Sequence, residues 1–140
     1  MNIDQGKDNK SLTGKIVSGV KQGAFFTQLD WFQMQCRDKL GFEPFAGTLN
    51  LEISADDVSV VESFEREAEI EFIPPDSAFC SGKAFPVLVE GIRAAVVIPA
   101  EEVRVHGKDI IEVISDQRLK DVLNVDDGDS VTLTVLQTKT

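Results

Sequence analysis

What most narrows the fold of this 140-residue chain is period-two alternation in short runs, each stopped by glycine, proline or acidic turn residues. In TLNLEI (48–53), Leu49, Leu51 and Ile53 fall on one face and Thr48, Asn50 and Glu52 on the other. EAEIEFI (67–73) repeats the pattern with Ala68, Ile70 and Phe72. TGKIVSGV (13–20), GAFFTQL (23–29) and VTLTVL (131–136) supply further strands, the first two joined through a tight VKQG segment. AFPVLVEG (84–91) and IRAAVVIP (92–99) read as a hairpin about Glu90-Gly91, and DDGD (126–129) is a hairpin-type turn signal.

Helical signals are few. Asp30 is placed to cap WFQMQCRDKL, where Phe32, Cys36 and Leu40 recur four apart and Gly41 supplies the stop. Ser115 is placed to cap DQRLKDVLN, with Leu119, Val122 and Leu123 facing inward, and a short turn follows Ser54. Many short strands with two short helices predict a mainly β chain folded as a compact barrel. Residues 1–12 read as a flexible polar lead-in and 13–140 as a single domain.

Charge and composition remove several function classes. A net charge of −10 repels a polyphosphate backbone, so nucleic acid is not an expected partner. A small anionic ligand remains compatible if a metal ion and a few cations gather at the site. No apolar run has the length of a membrane span, and MNIDQGKDNKS lacks the apolar core of a signal peptide. Cys36 and Cys80, far apart and outside any CxxC spacing, read as free thiols of a cytoplasmic protein. One histidine, His106, excludes a histidine-built metal site and reads as a surface residue. Nothing marks an obligate protein partner.

Three stretches could carry chemistry. Thr48 and Asn50 put a hydroxyl and an amide oxygen on one strand face, just after the loop GFEPFAG (41–47). On spacing alone they read first as polar residues on a wet strand face. The second reading is a partial Mg²⁺ cage completed by a ligand's phosphates, because Mg²⁺ favours phosphate and carboxylate oxygens. In SGVKQGAFF (18–26), two glycines bracket Lys21, an arrangement that can turn backbone N–H groups toward an anion, although it is also an ordinary turn. In KDIIEVISDQRLKD (108–121), Glu112 sits among Ile110, Ile111, Val113 and Ile114. Its default reading is an outward-facing strand residue; its functional reading is a partly desolvated general base. Ser115–Gln117 would then offer the free N–H groups of a helix start, with Arg118 and Lys120 nearby.

The order GKIVSGVKQGAFF, LGFEPFAGTLNLEI, GIRAAVVIP, DIIEVISDQRLKDVLNVDDGDSV resembles the archaeal-type CTP-dependent riboflavin kinases over residues 13–136. The LGF-P-GTLN piece is the most specific part. The resemblance implies a six-stranded cradle-loop barrel that transfers a phosphoryl group from CTP to the 5′-hydroxyl of riboflavin, giving FMN and CDP. It implies that Gly19, Val20, Lys21, Gln22, Gly23 and Ala24 hold the nucleotide, completed by Asp116, Gln117, Arg118, Leu119 and Lys120. Thr48 and Asn50 would contact Mg²⁺ on the phosphates, and Glu112 and Arg104 would lie at the flavin, with Glu112 catalytic.

The chain leaves the family pattern between residues 101 and 120. EEVRVHGKD carries no threonine where the family has one before the glutamate, and Ser115-Asp116 stands where Ala-Pro is usual. A second expectation follows, a nucleotide- or flavin-binding barrel with a sensing role. A DNA-binding barrel, suggested by the LNVDDGDSVTL ending, conflicts with the acidic charge.

Overall fold

The computed structural model describes residues 10–17, 27–45, 47–68, 70–75, 82–99 and 109–136. In chain order the elements are β1 (Lys10–Ile16), α1 (Asp30–Lys39), β2 (Leu49–Ile53), a 3-10 turn (Ala55–Asp57) running into α2 (Val58–Glu67), β3 (Ile70–Phe72), β4 (Gly82–Val89), β5 (Ile92–Pro99), β6 (Ile110–Ile114), α3 (Leu119–Leu123) and β7 (Ser130–Val135). The strands follow one another in the order β3-β4-β5-β6-β2-β1-β7, and β4 also pairs with β7. That last pairing closes six antiparallel strands into a barrel and leaves β3 as a short extension on β4. The first half of β4 carries β3 (Ile70 opposite Ala84), and its second half carries β7 (Val89 opposite Leu133).

Alternation sorts the side chains between two cores. Leu49, Leu51 and Ile53 point into the barrel with Phe85, Val87, Val96, Val113 and Leu133, as their period-two spacing predicts. The outer face of β4, β5 and β6 supplies Ala84, Ala95 and Ile114 to a second core, which α1 covers with Phe32 and Cys36, and which Phe42 and Phe72 complete. Phe32 and Phe72 meet with ring centroids 4.6 Å apart. The chain therefore has apolar residues on both faces of the β4–β6 wall because both faces are covered.

Several local expectations change. β1 begins at Lys10, inside the stretch read as a lead-in. Of GAFFTQL, only Thr27–Leu29 is described, and Thr27 and Gln28 form a turn rather than a strand. The turn after Ser54 continues into α2, a third helix. Val61 is buried and Val60 is packed against the barrel core, so packing overrides the weak helix preference of a valine-rich run. Helix α1 has Leu29 as its N-cap, with Asp30 inside the first turn. Gly41, at φ +86, ends it as expected. DDGD connects α3, not a strand, to β7, and Val122 is exposed rather than inward-facing. The Glu90-Gly91 hairpin forms with both residues at positive φ.

The free edge of β3 is occupied by α1. The Gln35 side-chain amide donates to the Ile73 carbonyl (2.7 Å) and accepts from the Ile73 N–H (2.9 Å), while Lys39 Nζ donates to the Glu71 carbonyl (2.5 Å).

Two predictions come from the cores. Gly14 of β1 pairs with Ile53 of β2, and a Cβ there would stand 2.9 Å from Leu51 Cβ. Gly14→Ala is expected to destabilise the fold by about 1–3 kcal/mol through overpacking, read as a lower urea midpoint. Burial also pushes the Cys36 thiol up from 9.0 to about 12. The unfolded chain ionises first as pH rises, so the stability from the neutral thiol is intact below pH 9.0 and is lost on the way to about 12. The urea midpoint of the native sequence should fall more steeply across that window than that of Cys36→Ala.

Candidate functional site

The loop from Gly41 to Gly47 enters β2 under tight control. Arg93 reaches across from β5, donates to the Gly41 carbonyl (3.1 Å) and sets its guanidinium 5.4 Å from the centre of the Phe42 ring, a cation–π contact worth about 0.5–1 kcal/mol at an exposed site. The Phe45 N–H donates to the Ser115 carbonyl (2.7 Å), and the Ser115 hydroxyl donates to the Arg93 carbonyl (2.8 Å). Gln33 on α1 donates to the carbonyls of Thr27 (2.7 Å) and Pro44 (3.3 Å). Thr27, buried, accepts the Gly47 N–H on its hydroxyl oxygen at 2.8 Å. Gly47 has φ +127, a conformation that side chains rarely adopt, and the chain leaves it directly into Thr48.

Thr48 and Asn50 do share a face, with Thr48 Oγ1 3.5 Å from Asn50 Oδ1. Asn50 is only 8% exposed, so the wet-face reading does not hold for it. Glu112 joins them. Its residue is the direct cross-strand partner of Asn50 in the β2–β6 ladder, and its Oε1 accepts the Thr48 hydroxyl at 3.1 Å. Glu112 points away from the barrel interior, as its default reading has it, yet it is only 6% exposed. The residues that sequence reasoning assigned separately, a metal pair and a flavin-side carboxylate, thus form one cluster of oxygens on the outer face of the barrel wall.

The 116–120 segment differs from its expectation. Helix α3 starts at Leu119 with Arg118 as N-cap, and the Ser115 hydroxyl bonds to Arg93 instead of capping it. Ser115 is buried against β5, which takes its side chain out of reach of the helix. Ser115–Gln117 are therefore not a helix start. Asp116, Gln117 and Arg118 are exposed, Leu119 is packed in the barrel core, Arg118 pairs with Asp121 (2.6 Å) and Lys120 with Asp127 (2.9 Å). The glycine loop Gly19–Ala24, Arg104, His106 and Cys80 lie outside the described residues.

Sequence reasoning did not single out Thr27, Gln33 or Arg93. Arg93 carried a signal, being the one charged residue in the apolar strand IRAAVVIP. Thr27 and Gln33 carried none, because their contacts are to backbone groups distant in sequence.

Chemically, the cluster offers a hydroxyl oxygen, an amide oxygen and a carboxylate. Among the described residues no group of three His, Cys, Asp or Glu side chains could hold a metal by itself. A hard cation would fit Thr48 and Asn50 only with further oxygens from a ligand. Thr27→Val, nearly isosteric, would leave the Gly47 N–H without its acceptor and is expected to cost about 1–3 kcal/mol, measured by urea unfolding.

Comparison with known proteins matches residues 16–135 to the family model CTP-dep_RFKase, described as a domain of unknown function, DUF120. The chain is 37% identical over 129 residues to the riboflavin kinase of Archaeoglobus fulgidus, covering 89% of this chain and 54% of that protein. It is 38% identical over 128 residues to the riboflavin kinase of Ignicoccus hospitalis, covering 89% and 70%. Against that of Thermoplasma acidophilum it is 35% identical over 133 residues, covering 92% and 59%. The chain spans just over half the length of the first of these relatives.

Proposed function

The chain belongs to the family of CTP-dependent riboflavin kinases, and on that premise we propose that it transfers the γ-phosphoryl group of CTP to the 5′-hydroxyl of riboflavin, giving FMN and CDP. The observation that carries the reading is the oxygen cluster itself: Thr48, Asn50 and Glu112 converge from two paired strands beside a pinned loop.

Each residue then has a role. Thr48 Oγ1 and Asn50 Oδ1 would hold Mg²⁺ together with the nucleotide's phosphates. The ion, when bound, neutralises charge on the transferring phosphoryl group. Glu112 would accept the proton of the ribityl hydroxyl as its oxygen bonds to phosphorus and the bond to the CDP leaving group breaks. Gly19, Val20, Lys21, Gln22, Gly23 and Ala24 would cradle the phosphates with backbone N–H groups and one cation, and Arg104 would lie at the flavin. Asp116, Gln117, Arg118 and Lys120 would complete the nucleotide site from the exposed segment after β6, with the buried Leu119 contributing only its main chain. No helix of the described residues is long and apolar enough to cross a membrane, and the cytoplasm is the proposed compartment.

A second reading, a barrel that binds nucleotide or flavin without turnover, is favoured by the ion pairs that engage Arg118 and Lys120 with the protein's own carboxylates. One experiment separates the two. Incubation with riboflavin, Mg²⁺ and each of CTP, ATP, GTP and UTP, followed by chromatography of the flavins, should yield FMN with CTP. No FMN with any nucleotide from folded protein would overturn the kinase reading. Thr48→Ala and Asn50→Ala are each expected to lower the rate by at least about tenfold, about 1.4 kcal/mol of barrier. Neither removes a large side chain from a core, but Thr48→Ala also takes a hydrogen bond from the buried Glu112, so rates are compared at equal folded fraction, read from the urea midpoints.

A further inference from the structure

The Thr48 hydroxyl has one proton and two acceptors within reach. Glu112 Oε1 lies at 3.1 Å and Asn50 Oδ1 at 3.5 Å, the outer limit of a hydrogen bond. A carboxylate is also the stronger acceptor of the two. The proton therefore belongs to Glu112, and what remains between Thr48 Oγ1 and Asn50 Oδ1 is a pair of oxygens facing each other with no proton between them. Such a pair repels unless a cation joins it. Without the carboxylate, the hydroxyl would turn its proton to Asn50 Oδ1, and both oxygens would be engaged with each other rather than with a metal.

We propose that Glu112 is a positioning residue for the cation: by taking the Thr48 proton, it turns the lone pairs of Thr48 toward Asn50 and keeps both oxygens available to a divalent ion. This rests on the metal–nucleotide reading above and adds to Glu112 a role separate from its contact with the alcohol acceptor. The backbone favours the arrangement, because Asn50 and Glu112 are directly paired across β2 and β6, and Thr48 is locked in place by the Gly47 N–H bond to Thr27. Outer groups that orient a metal's ligands are typically worth about 10–100-fold in metal affinity.

The test is made without flavin. Binding of Mn²⁺ with CDP is measured by calorimetry and by the electron paramagnetic resonance signal of free Mn²⁺, for the native chain, Glu112→Gln, Glu112→Ala, Thr48→Val and Thr48→Val with Glu112→Ala. Affinity is expected to fall about 10–100-fold in Glu112→Ala and less in Glu112→Gln, whose amide oxygen still accepts the Thr48 proton. In the Thr48→Val background, adding Glu112→Ala should cost little more, because the hydroxyl through which it acts is gone. Unchanged Mn²⁺–CDP affinity in Glu112→Ala, or an equal further loss in the Thr48→Val background, overturns the positioning role and leaves the kinase reading standing. Failure of the native chain to bind Mn²⁺ with CDP overturns the metal–nucleotide reading and this inference with it. Unfolding midpoints taken alongside identify any variant that fails to fold, in which case Glu112→Gln carries the comparison.

Discussion

Barrel closure rests on a division of labour along one strand. The second half of β4 pairs Val87, Leu88 and Val89 with Val135, Thr134 and Leu133 of β7, while its first half turns the same edge to β3. If β4 slipped by one residue, Phe85, Val87 and Val89 would face outward and the outer Ala84 would face in. Both cores would fail together, because this wall supplies apolar residues to each. The hairpin that joins β4 to β5 sets that register through two consecutive positive-φ residues, Glu90 and Gly91, so a short turn fixes the geometry of a whole barrel.

The site depends on the same wall from its outer side. β6 pairs with β5 and β2 at once, Glu112 lying opposite Val97 on one side and Asn50 on the other. A buried carboxylate is costly unless it is hydrogen-bonded, and the Thr48 hydroxyl provides such a bond. The loop before Thr48 is tied to α1, β5 and the end of β6 by main-chain and side-chain bonds. Rigid elements thus hold the three oxygens, and their arrangement need not wait for a ligand to order it.

Much of this was legible in the sequence where the signal is local. Alternation gave Leu49, Leu51 and Ile53 as core and put Thr48 and Asn50 together, and the glycine stop at Gly41 and the Glu90-Gly91 hairpin need only neighbouring residues. What failed had a tertiary cause. Helix α2 forms from a valine-rich run because the barrel buries Val61. Ser115 looks like a cap but is buried against Arg93. The meeting of Glu112 with Thr48 spans 64 positions, and only strand pairing, which composition and spacing do not encode, brings it about.

The covering of β3 by α1 has a consequence for the protein in concentrated solution. A strand with neighbours on one side only offers unpaired N–H and C=O groups on which another chain can add a strand of its own. Here the Gln35 amide fills the Ile73 positions as a third strand would, and Lys39 both occupies the Glu71 carbonyl and brings a positive charge to that margin. Ile73 itself is 61% exposed, so the apolar side chain most able to recruit a neighbour sits where the backbone beside it is already taken. Helix α1 therefore does more than roof the outer core: it guards the chain against polymerising through the shortest of its described strands.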